Sequence, residues 1–262
     1  MRAHLDEDMA KKLEDVVKEN GVELILPAKI DNISYKERKK RVILSDRELE
    51  VDFIFFGTGA KPNVGLAQKA GLEVGETGAI KVNQYLQTSD ADIYAAGDCM
   101  ENWDVVTGAK RVHQLATNAI RTGYIAGRNV TLGNRIPYEG TIMPFVSKIF
   151  SYQVGSVGFI EREAREKGFE VASVMVDTPW LRQRFNGKLA WYKLIADKRT
   201  RTLIGAQVIS EEIVSGTIDK LAVAIANKMP LIKLVQIDSC YSPHVQEDQI
   251  AVPIQRLIDT LG

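Results

Sequence analysis

Apolar and polar residues alternate with two different spacings over the first part of the chain. In the stretch LDEDMAKKLEDVVKENG the apolar positions share one face of a helix, at Met9, Leu13, Val16 and Val17. Asp6 is suited to cap the start of this helix, and the following stretch VELILPAKI is predicted to be a strand. Residues 51–56 are almost continuously apolar, which is typical of a strand that is buried on both faces.

The middle of the chain combines short strands with helices. VGLAQKAG is predicted to be a helix, and residues 79–82 a short, edge-like strand. Residues 93–96 are predicted to form a short buried strand that runs directly into a glycine and an aspartate, Gly97 and Asp98. A second helix is predicted in HQLATNAIRTGYIAGRNVTLG, where it begins near Leu115, Ala116 and Thr117.

The pattern changes beyond Pro137. Four strands are predicted, in KIFSYQVGSVG, EVASVMVD, LAWYKLIADK and TLIGAQVIS. A short helix in FIEREAREKG lies between the first two, and a longer helix in EEIVSGTIDKLAVAIANKMP follows the last, with Ile213 in its apolar stripe. A run of strands followed by a long helix favours an α+β module, so we place a domain boundary near residue 137.

Charge and composition narrow the class of protein. Lys+Arg and Asp+Glu number 34 each, so the balance does not favour binding to nucleic acid or to an anionic membrane. The sequence has neither an apolar run long enough to span a bilayer nor the pattern of a signal peptide at its start. The two cysteines, Cys99 and Cys240, form no close-spaced metal or redox motif, which favours a reducing cytoplasm and no metal site.

The Gly97–Asp98 pair is the first candidate site. A glycine after a strand permits a sharp turn or a close approach to a ligand. A carboxylate at the carboxyl end of a parallel sheet lies where such folds bind their ligands, and it can accept hydrogen bonds from ligand hydroxyl groups. Gly and Asp are also common turn formers, so these two residues alone leave an ordinary turn equally open.

Three stretches together resemble one family. QTSDADIYAAGDC is similar to the second flavin-binding motif of the FAD-dependent pyridine-nucleotide disulfide oxidoreductases. FFGTGAKPN resembles the segment that leads from the NADH domain of that family back into its FAD domain. YSPHVQEDQI resembles the Tyr-x-Pro segment of the NADH oxidase and coenzyme A-disulfide reductase branch.

The resemblance implies a fold class and domain limits. The expected fold is an α/β remnant of doubly wound FAD- and NAD(P)-binding domains, followed by an α+β interface domain that dimerises. Residues 1–60 correspond to the tail of the NADH-binding domain, residues 61–137 to the second segment of the FAD-binding domain, and residues 138–262 to the dimerisation domain. We therefore expect a homodimer formed through residues 138–262.

The resemblance also assigns roles to residues. It places Asp98, after Gly97, on the ribityl chain of FAD, and the helix start at Leu115, Ala116 and Thr117 against the flavin pyrimidine edge. Thr58, Gly59 and Pro62 are expected near the nicotinamide of NADH, although Pro62 is also suited simply to end a strand and precede a helix. The thiols of Cys99 and Cys240 are interpreted as structural rather than redox groups.

Tyr241 is the candidate catalytic residue. In the resembled branch, a tyrosine of this segment reaches the active site of the other subunit, where its hydroxyl can donate to a sulfur substrate; packing in the core or interface is the alternative. Two departures weaken coenzyme A as the substrate: RFNG replaces the Tyr-Tyr-Pro-Gly of the branch, and Glu247 occupies the place of an expected lysine. His244 is interpreted as a loop residue, not as a general base.

The family normally carries two glycine-rich fingerprints that bind the pyrophosphates of FAD and NADH. No G-x-G-x-x-G occurs in this sequence, so we interpret it as the carboxyl-terminal half of such an enzyme. The complete enzyme is expected to pass electrons from NADH through FAD to a small-molecule acceptor, which is oxygen, a disulfide or polysulfide. The alternatives are a truncated, non-catalytic dimeric module and part of a flavin-dependent ferredoxin reductase, against which the Tyr-x-Pro segment argues.

Overall fold

The structure is a computed structural model, which describes residues 4–36, 39–179, 187–240 and 250–262. Tyr241, His244 and Glu247 lie outside the described residues, as does most of RFNG. The chain divides into two compact units. The smaller is Glu14–Lys61, and the larger combines Met1–Leu13 with Pro62–Gly262.

The described residues form helices and strands in an irregular order. The helices are α1 (Glu7–Glu19), α2 (Gly65–Lys69), α3 (Ala116–Leu132), α4 (Glu161–Glu166), α5 (Ser215–Ala226), α6 (Leu231–Val235) and α7 (Ala251–Asp259). The strands are β1 (Ile30–Lys36), β2 (Lys39–Leu44), β3 (Glu48–Val51), β4 (Asn102–Trp103), β5 (Lys110–Arg111), β6 (Phe145–Ile149), β7 (Tyr152–Gly158), β8 (Val171–Pro179), β9 (Leu189–Asp197) and β10 (Thr202–Ser210). Within this described part, no helix is long and apolar enough to cross a membrane.

The smaller unit contains the antiparallel sheet β1-β2-β3. The strand predicted in VELILPAKI is wrong, because pairing begins only at Ile30; Pro27 has no N–H to donate to a ladder. The buried strand predicted for residues 51–56 is also wrong. Val51 pairs with Lys40 near the first residue of β2, so the ladder ends there. Phe53, Phe55 and Phe56 are consequently 76%, 85% and 61% exposed.

The larger unit is built on a five-stranded antiparallel sheet in the order β6-β7-β10-β9-β8. Three of its predicted strands are confirmed as β8, β9 and β10. The fourth, KIFSYQVGSVG, is instead the end of β6, a tight turn and β7. Phe150 adopts a φ of 52° at that turn, which reverses the chain between the two strands.

Helices cover the two faces of this sheet. Successive residues of β7 point to opposite faces, so Val154 contacts α1 while Gly155 lies beneath α5. A side chain at Gly155 would overlap Ile218, so the absence of a Cβ allows α5 to approach the sheet closely. Ile213 precedes α5 and is 69% exposed, so its predicted place in the apolar stripe is wrong.

The start of α1 is attached to the sheet by a buried ionic group, which we name the Lys193 cluster (Lys193, Asp6, Asp8 and Glu161). The Lys193 side chain is 6% exposed, and its Nζ lies 2.6 Å from Asp8 Oδ2, 2.7 Å from Glu161 Oε1 and 3.6 Å from Asp6 Oδ2. The Asp6 carboxylate accepts hydrogen bonds from the Glu161 N–H and from Gln207 Nε2, at 2.9 and 2.7 Å. Its predicted role as the cap of α1 is therefore wrong, since tertiary partners occupy both oxygens.

Apart from α3, the segment between α2 and β6 has little regular structure. The strand predicted for residues 93–96 is an extended segment with one isolated bridge, from Tyr94 to Gln87, and that predicted for residues 79–82 makes only isolated bridges at Ile80. This segment nevertheless has its own core, in which Leu86, Met100 and Tyr138 are buried. The predicted helices of the segment are confirmed as α2 and α3.

Candidate functional site

The predicted Gly97–Asp98 turn is a single 3₁₀ turn over Gly97–Cys99. Gly97 is buried and has a φ of 77°, which is in the left-handed region that favours glycine. Asp98 is exposed, and within the described part of the chain its carboxylate has no hydrogen-bond or ion-pair partner. The turn therefore presents a carboxylate that remains available to a ligand.

The first turn of α3 presents backbone N–H groups. Leu115 precedes the helix in an extended conformation, with φ −131° and ψ 141°, and no side chain caps the helix start. Ala116 and Thr117 are exposed. The first N–H groups of a helix have no intrahelical acceptor, and the helix dipole places a partial positive charge there.

Two hydrogen bonds hold the turn to α3 and to the segment just before it. The Gly97 N–H donates to Thr122 Oγ1 at 3.0 Å, and Gln114 Nε2 donates to the Asp98 carbonyl oxygen at 3.4 Å. A Cβ added at Gly97 would lie 3.4 Å from the Ala119 Cβ, so the turn lies close to the helix. The structure thus brings together the five residues predicted to contact a flavin: Gly97, Asp98, Leu115, Ala116 and Thr117. Their role in binding remains a prediction.

A buried polar network also fixes α3 in place. The Tyr138 hydroxyl donates to Asn102 Oδ1 at 2.8 Å, and Asn118 Nδ2 donates to the same oxygen at 3.1 Å. Arg121 donates to the carbonyl oxygen of Gly140 at 2.9 Å. Burial raises the pKa of Tyr138, so its hydroxyl stays protonated and remains a donor. These contacts hold the first two turns of α3 in one position.

His113 lies three residues before the start of α3 and is buried. Its Nδ1 is 2.8 Å from Thr141 Oγ1, which itself accepts a hydrogen bond from the Met143 N–H. Burial, with a contribution from the charges of Arg121 and Arg111, lowers the pKa of His113 to about 4. The imidazole is therefore neutral at neutral pH. Its Nε2 has no hydrogen-bond partner among the described residues.

The other predicted site residues are not joined to this turn. Thr58 and Gly59 lie in an exposed loop of the smaller unit, where Gly59 has a φ of 95° and open space around it. Pro62 is half-buried at the start of the long segment of the larger unit. Their placement near a nicotinamide remains a prediction, as does the catalytic role of Tyr241.

Neither cysteine forms a disulfide. Cys99 is half-buried and its Sγ donates to the Ala96 carbonyl oxygen at 3.4 Å, while Cys240 is exposed. Among the described residues, no group of three His, Cys, Asp or Glu side chains is arranged to hold a metal ion.

Sequence reasoning missed the residues that hold the site together, of which Thr122 and Gln114 are the nearest to the turn. A threonine inside a helix gives no signal of its own, because it commonly bonds a carbonyl of the preceding turn. Only the pairing of Thr122 with Gly97, 25 residues away in sequence, reveals its second contact.

Comparison with known proteins identifies the family to which the chain belongs. Residues 1–123 match the family described as pyridine nucleotide-disulphide oxidoreductase, and residues 145–250 match the dimerisation domain of that same family. The chain belongs to the pyridine nucleotide-disulphide oxidoreductase family. The predicted family and fold class are thereby confirmed.

Individual relatives agree with this assignment. The chain is 32% identical over 237 residues to the NAD(P)H sulfur oxidoreductase (CoA-dependent) of Pyrococcus furiosus, covering 89% of this chain and 53% of that protein. It is 32% identical over 243 residues to the NADH oxidase of Methanocaldococcus jannaschii, covering 92% of this chain and 53% of the relative. The chain thus spans about half the length of these relatives.

Solved structures share the fold. The NAD-dependent persulfide reductase from A. fulgidus superposes with a TM-score of 0.94 and 33% identity, covering 99% of this chain and 49% of that chain. Nearly the whole chain therefore shares the fold of the corresponding half of that persulfide reductase.

Proposed function

We propose that this chain is part of an NADH-dependent FAD oxidoreductase that passes electrons to oxygen, a disulfide or polysulfide. The observation that carries the proposal is the Gly97–Asp98 turn, whose unpaired carboxylate is held beside the first turn of α3. The relatives named NADH oxidase and NAD(P)H sulfur oxidoreductase support both the donor and the range of acceptors.

Each residue at the turn is suited to contact one part of FAD. Asp98 is an exposed acceptor for the ribityl hydroxyl groups, and Gly97 keeps the backbone close without a side chain. The N–H groups at Leu115, Ala116 and Thr117 stabilise negative charge on the flavin pyrimidine edge through the helix dipole. FAD, when bound, supplies hydride acceptance from NADH and the transfer of electrons onward. Gly59 and Pro62 are the residues we assign to the NADH side.

The chain is proposed to act as a homodimer. Residues 145–250 match a dimerisation domain, which supports an interface within residues 138–262. In this arrangement Tyr241 of the partner subunit reaches the site, where its hydroxyl donates to the acceptor. We propose the division into residues 1–60, 61–137 and 138–262 as NADH-domain, FAD-domain and dimerisation segments.

A non-catalytic dimeric module is the second candidate. It is favoured by the absence of any G-x-G-x-x-G in the sequence, since charge-assisted contacts to pyrophosphate contribute strongly to dinucleotide affinity. On this alternative the chain dimerises but neither retains FAD nor oxidises NADH by itself.

The first experiment is a titration of FAD against Asp98→Ala, in a polypeptide that joins this chain to the two pyrophosphate-binding fingerprints. Hydrogen bonds that involve a charged group contribute roughly 1.5–3 kcal/mol, so FAD affinity should fall about tenfold to a hundredfold. Asp92→Ala is the matched control, because Asp92 is an exposed acid six residues upstream in the same segment and should leave affinity unchanged.

Equal FAD affinity in Asp98→Ala and the parent polypeptide would contradict the assignment of Asp98. Steady NADH turnover by the chain of 262 residues alone would instead contradict the view that pyrophosphate contacts must come from elsewhere.

A further inference from the structure

We infer that Thr122 is a positioning residue for this site: its hydroxyl sets the orientation of the Gly97–Asp98 turn relative to α3. The inference rests on the proposed function for the ligand that the turn receives. It starts from the Gly97 N–H, which donates to Thr122 Oγ1 at 3.0 Å.

The Thr122 hydroxyl is directed into its own helix, where the carbonyl oxygens of Asn118 and Ala119 both lie within hydrogen-bond distance. Thr122 is completely buried in the second turn of α3, and its Oγ1 donates to the Asn118 carbonyl oxygen at 2.8 Å. Because the hydroxyl hydrogen is used within the helix, the lone pairs of Oγ1 point toward the turn. The acceptor offered to Gly97 is therefore fixed by the helix itself.

This hydrogen bond is well placed to control Asp98. Gly97 adopts a φ of 77°, so its backbone has access to conformations that other residues avoid and needs an external restraint. The bond to Thr122 limits how far the turn moves away from α3. The long contact from Gln114 to the Asp98 carbonyl, at 3.4 Å, is a weaker second restraint.

Asp98 and the first turn of α3 would contact different parts of one ligand, so their separation must match that ligand. Asn118, whose carbonyl receives the Thr122 hydroxyl, also belongs to the buried network that fixes α3 through Tyr138 and Asn102. Thr122 thus connects the network to the turn, and the position of the carboxylate follows from the position of the helix.

The test begins with amide hydrogen exchange on the chain itself, which needs no bound flavin. Thr122→Val keeps the shape but leaves the Gly97 N–H without its acceptor, and an unsatisfied buried donor costs roughly 1–3 kcal/mol. Exchange at Gly97 should therefore accelerate about fivefold or more. Thr122→Ser retains the hydroxyl and should restore slow exchange.

Thr131→Val is the matched control. Thr131 lies on the same helix and donates to the Gly127 and Arg128 carbonyl oxygens at 3.2 and 3.0 Å, with no contact to the turn. It should leave exchange at Gly97 unchanged. Unchanged exchange in Thr122→Val, or a failure of Thr122→Ser to restore it, would overturn the inference.

The second measurement separates positioning from simple stability. In the polypeptide that carries the fingerprints, Thr122→Val should weaken FAD about tenfold, as expected for one well-oriented charged contact. Combined with Asp98→Ala it should add almost nothing, because both changes remove the same contact. Full additivity would show that Thr122 acts on stability alone and would overturn the inference. If no flavin binds to the parent polypeptide, the proposed function fails while the exchange result still decides whether Thr122 fixes the turn.

Discussion

Replacing Lys193 with methionine should destabilise the larger unit strongly at neutral pH. The substitution keeps most of the buried aliphatic chain but removes the charge that the three carboxylates of the Lys193 cluster share. Removing one partner of a buried ion pair costs roughly 3–5 kcal/mol. Asp8 is 43% exposed, so water screens part of its charge, and we expect a loss of about 2–4 kcal/mol.

The loss of stability in Lys193→Met should be larger at neutral pH than at acidic pH. Burial raises the pKa of Glu161, but hydrogen bonds from Lys193 and Ser173 outweigh burial and hold that pKa below its usual value. Burial lowers the pKa of Lys193, but hydrogen bonds to Asp8 and Glu161 outweigh it and raise that pKa. The pair therefore stabilises the fold between the unfolded pKa of a glutamate and that of a lysine, about 4.3 and 10.4.

In Lys193→Met the three carboxylates become easier to protonate, because the cation that favoured their charged form is gone. The difference in unfolding free energy from wild type should be largest near pH 7 and shrink as the pH falls toward 4. Urea unfolding followed by circular dichroism at a series of pH values measures this difference.

The matched control is Lys188→Met. Lys188 is 45% exposed and lies 3.7 Å from Glu211, so this change should cost less than about 1 kcal/mol at any of these pH values. A loss in Lys193→Met as small as in the control, or equally large at pH 7 and pH 4.5, would refute the reasoning.

Two further predictions concern the titration of His113 and the oligomeric state of the chain. His113 has a pKa lowered from 6.5 to about 4, so the unfolded chain binds more protons in that range and wild-type stability should fall by up to roughly 3 kcal/mol as the pH drops through it. His113→Gln should remove this part of the slope in urea unfolding, and a slope equal to that of wild type would contradict the burial argument. Light scattering on the purified chain should give the mass of a dimer, because the matched dimerisation domain lies within it; a monomeric mass at micromolar concentration would contradict that expectation.

Strands with strong apolar runs were predictable from sequence alone. Leu189–Asp197 and Thr202–Ser210 are strands in the structure because their side chains are buried against helices on both faces of the sheet. The run at residues 51–56 has the same pattern and is exposed, with Phe55 85% accessible. Whether an apolar segment is buried depends on the strands and helices that pack against it. The apolar pattern indicates only that burial would be favourable.

Sequence alone predicted the site residues that are proposed to face the ligand. It did not predict the residues that hold them in position. Gly97 and Asp98 were identified because a strand-like stretch followed by this pair resembles a family motif. Asp6 was assigned to the wrong partner, since its real donors, Glu161 and Gln207, lie far along the chain. The sequence likewise provided no indication of the contact made by Thr122, because its partner Gly97 lies 25 residues away. Contacts between side chain and backbone across long separations follow from the tertiary fold and not from local spacing.

The attachment of α1 to the sheet also has a consequence for synthesis on the ribosome. Asp6 and Gln207 are separated by 201 residues, so the apolar face of α1, with Met9 and Leu13, emerges long before β10 can receive it. At about 5–20 residues per second the delay is roughly 10–40 seconds. Val154 of β7 is made earlier, but until β10 follows the sheet is incomplete, and part of the apolar face of α1 is open to chaperones or to other chains. The vulnerability of the nascent chain is therefore set by the order of its segments, whatever the stability of the finished fold.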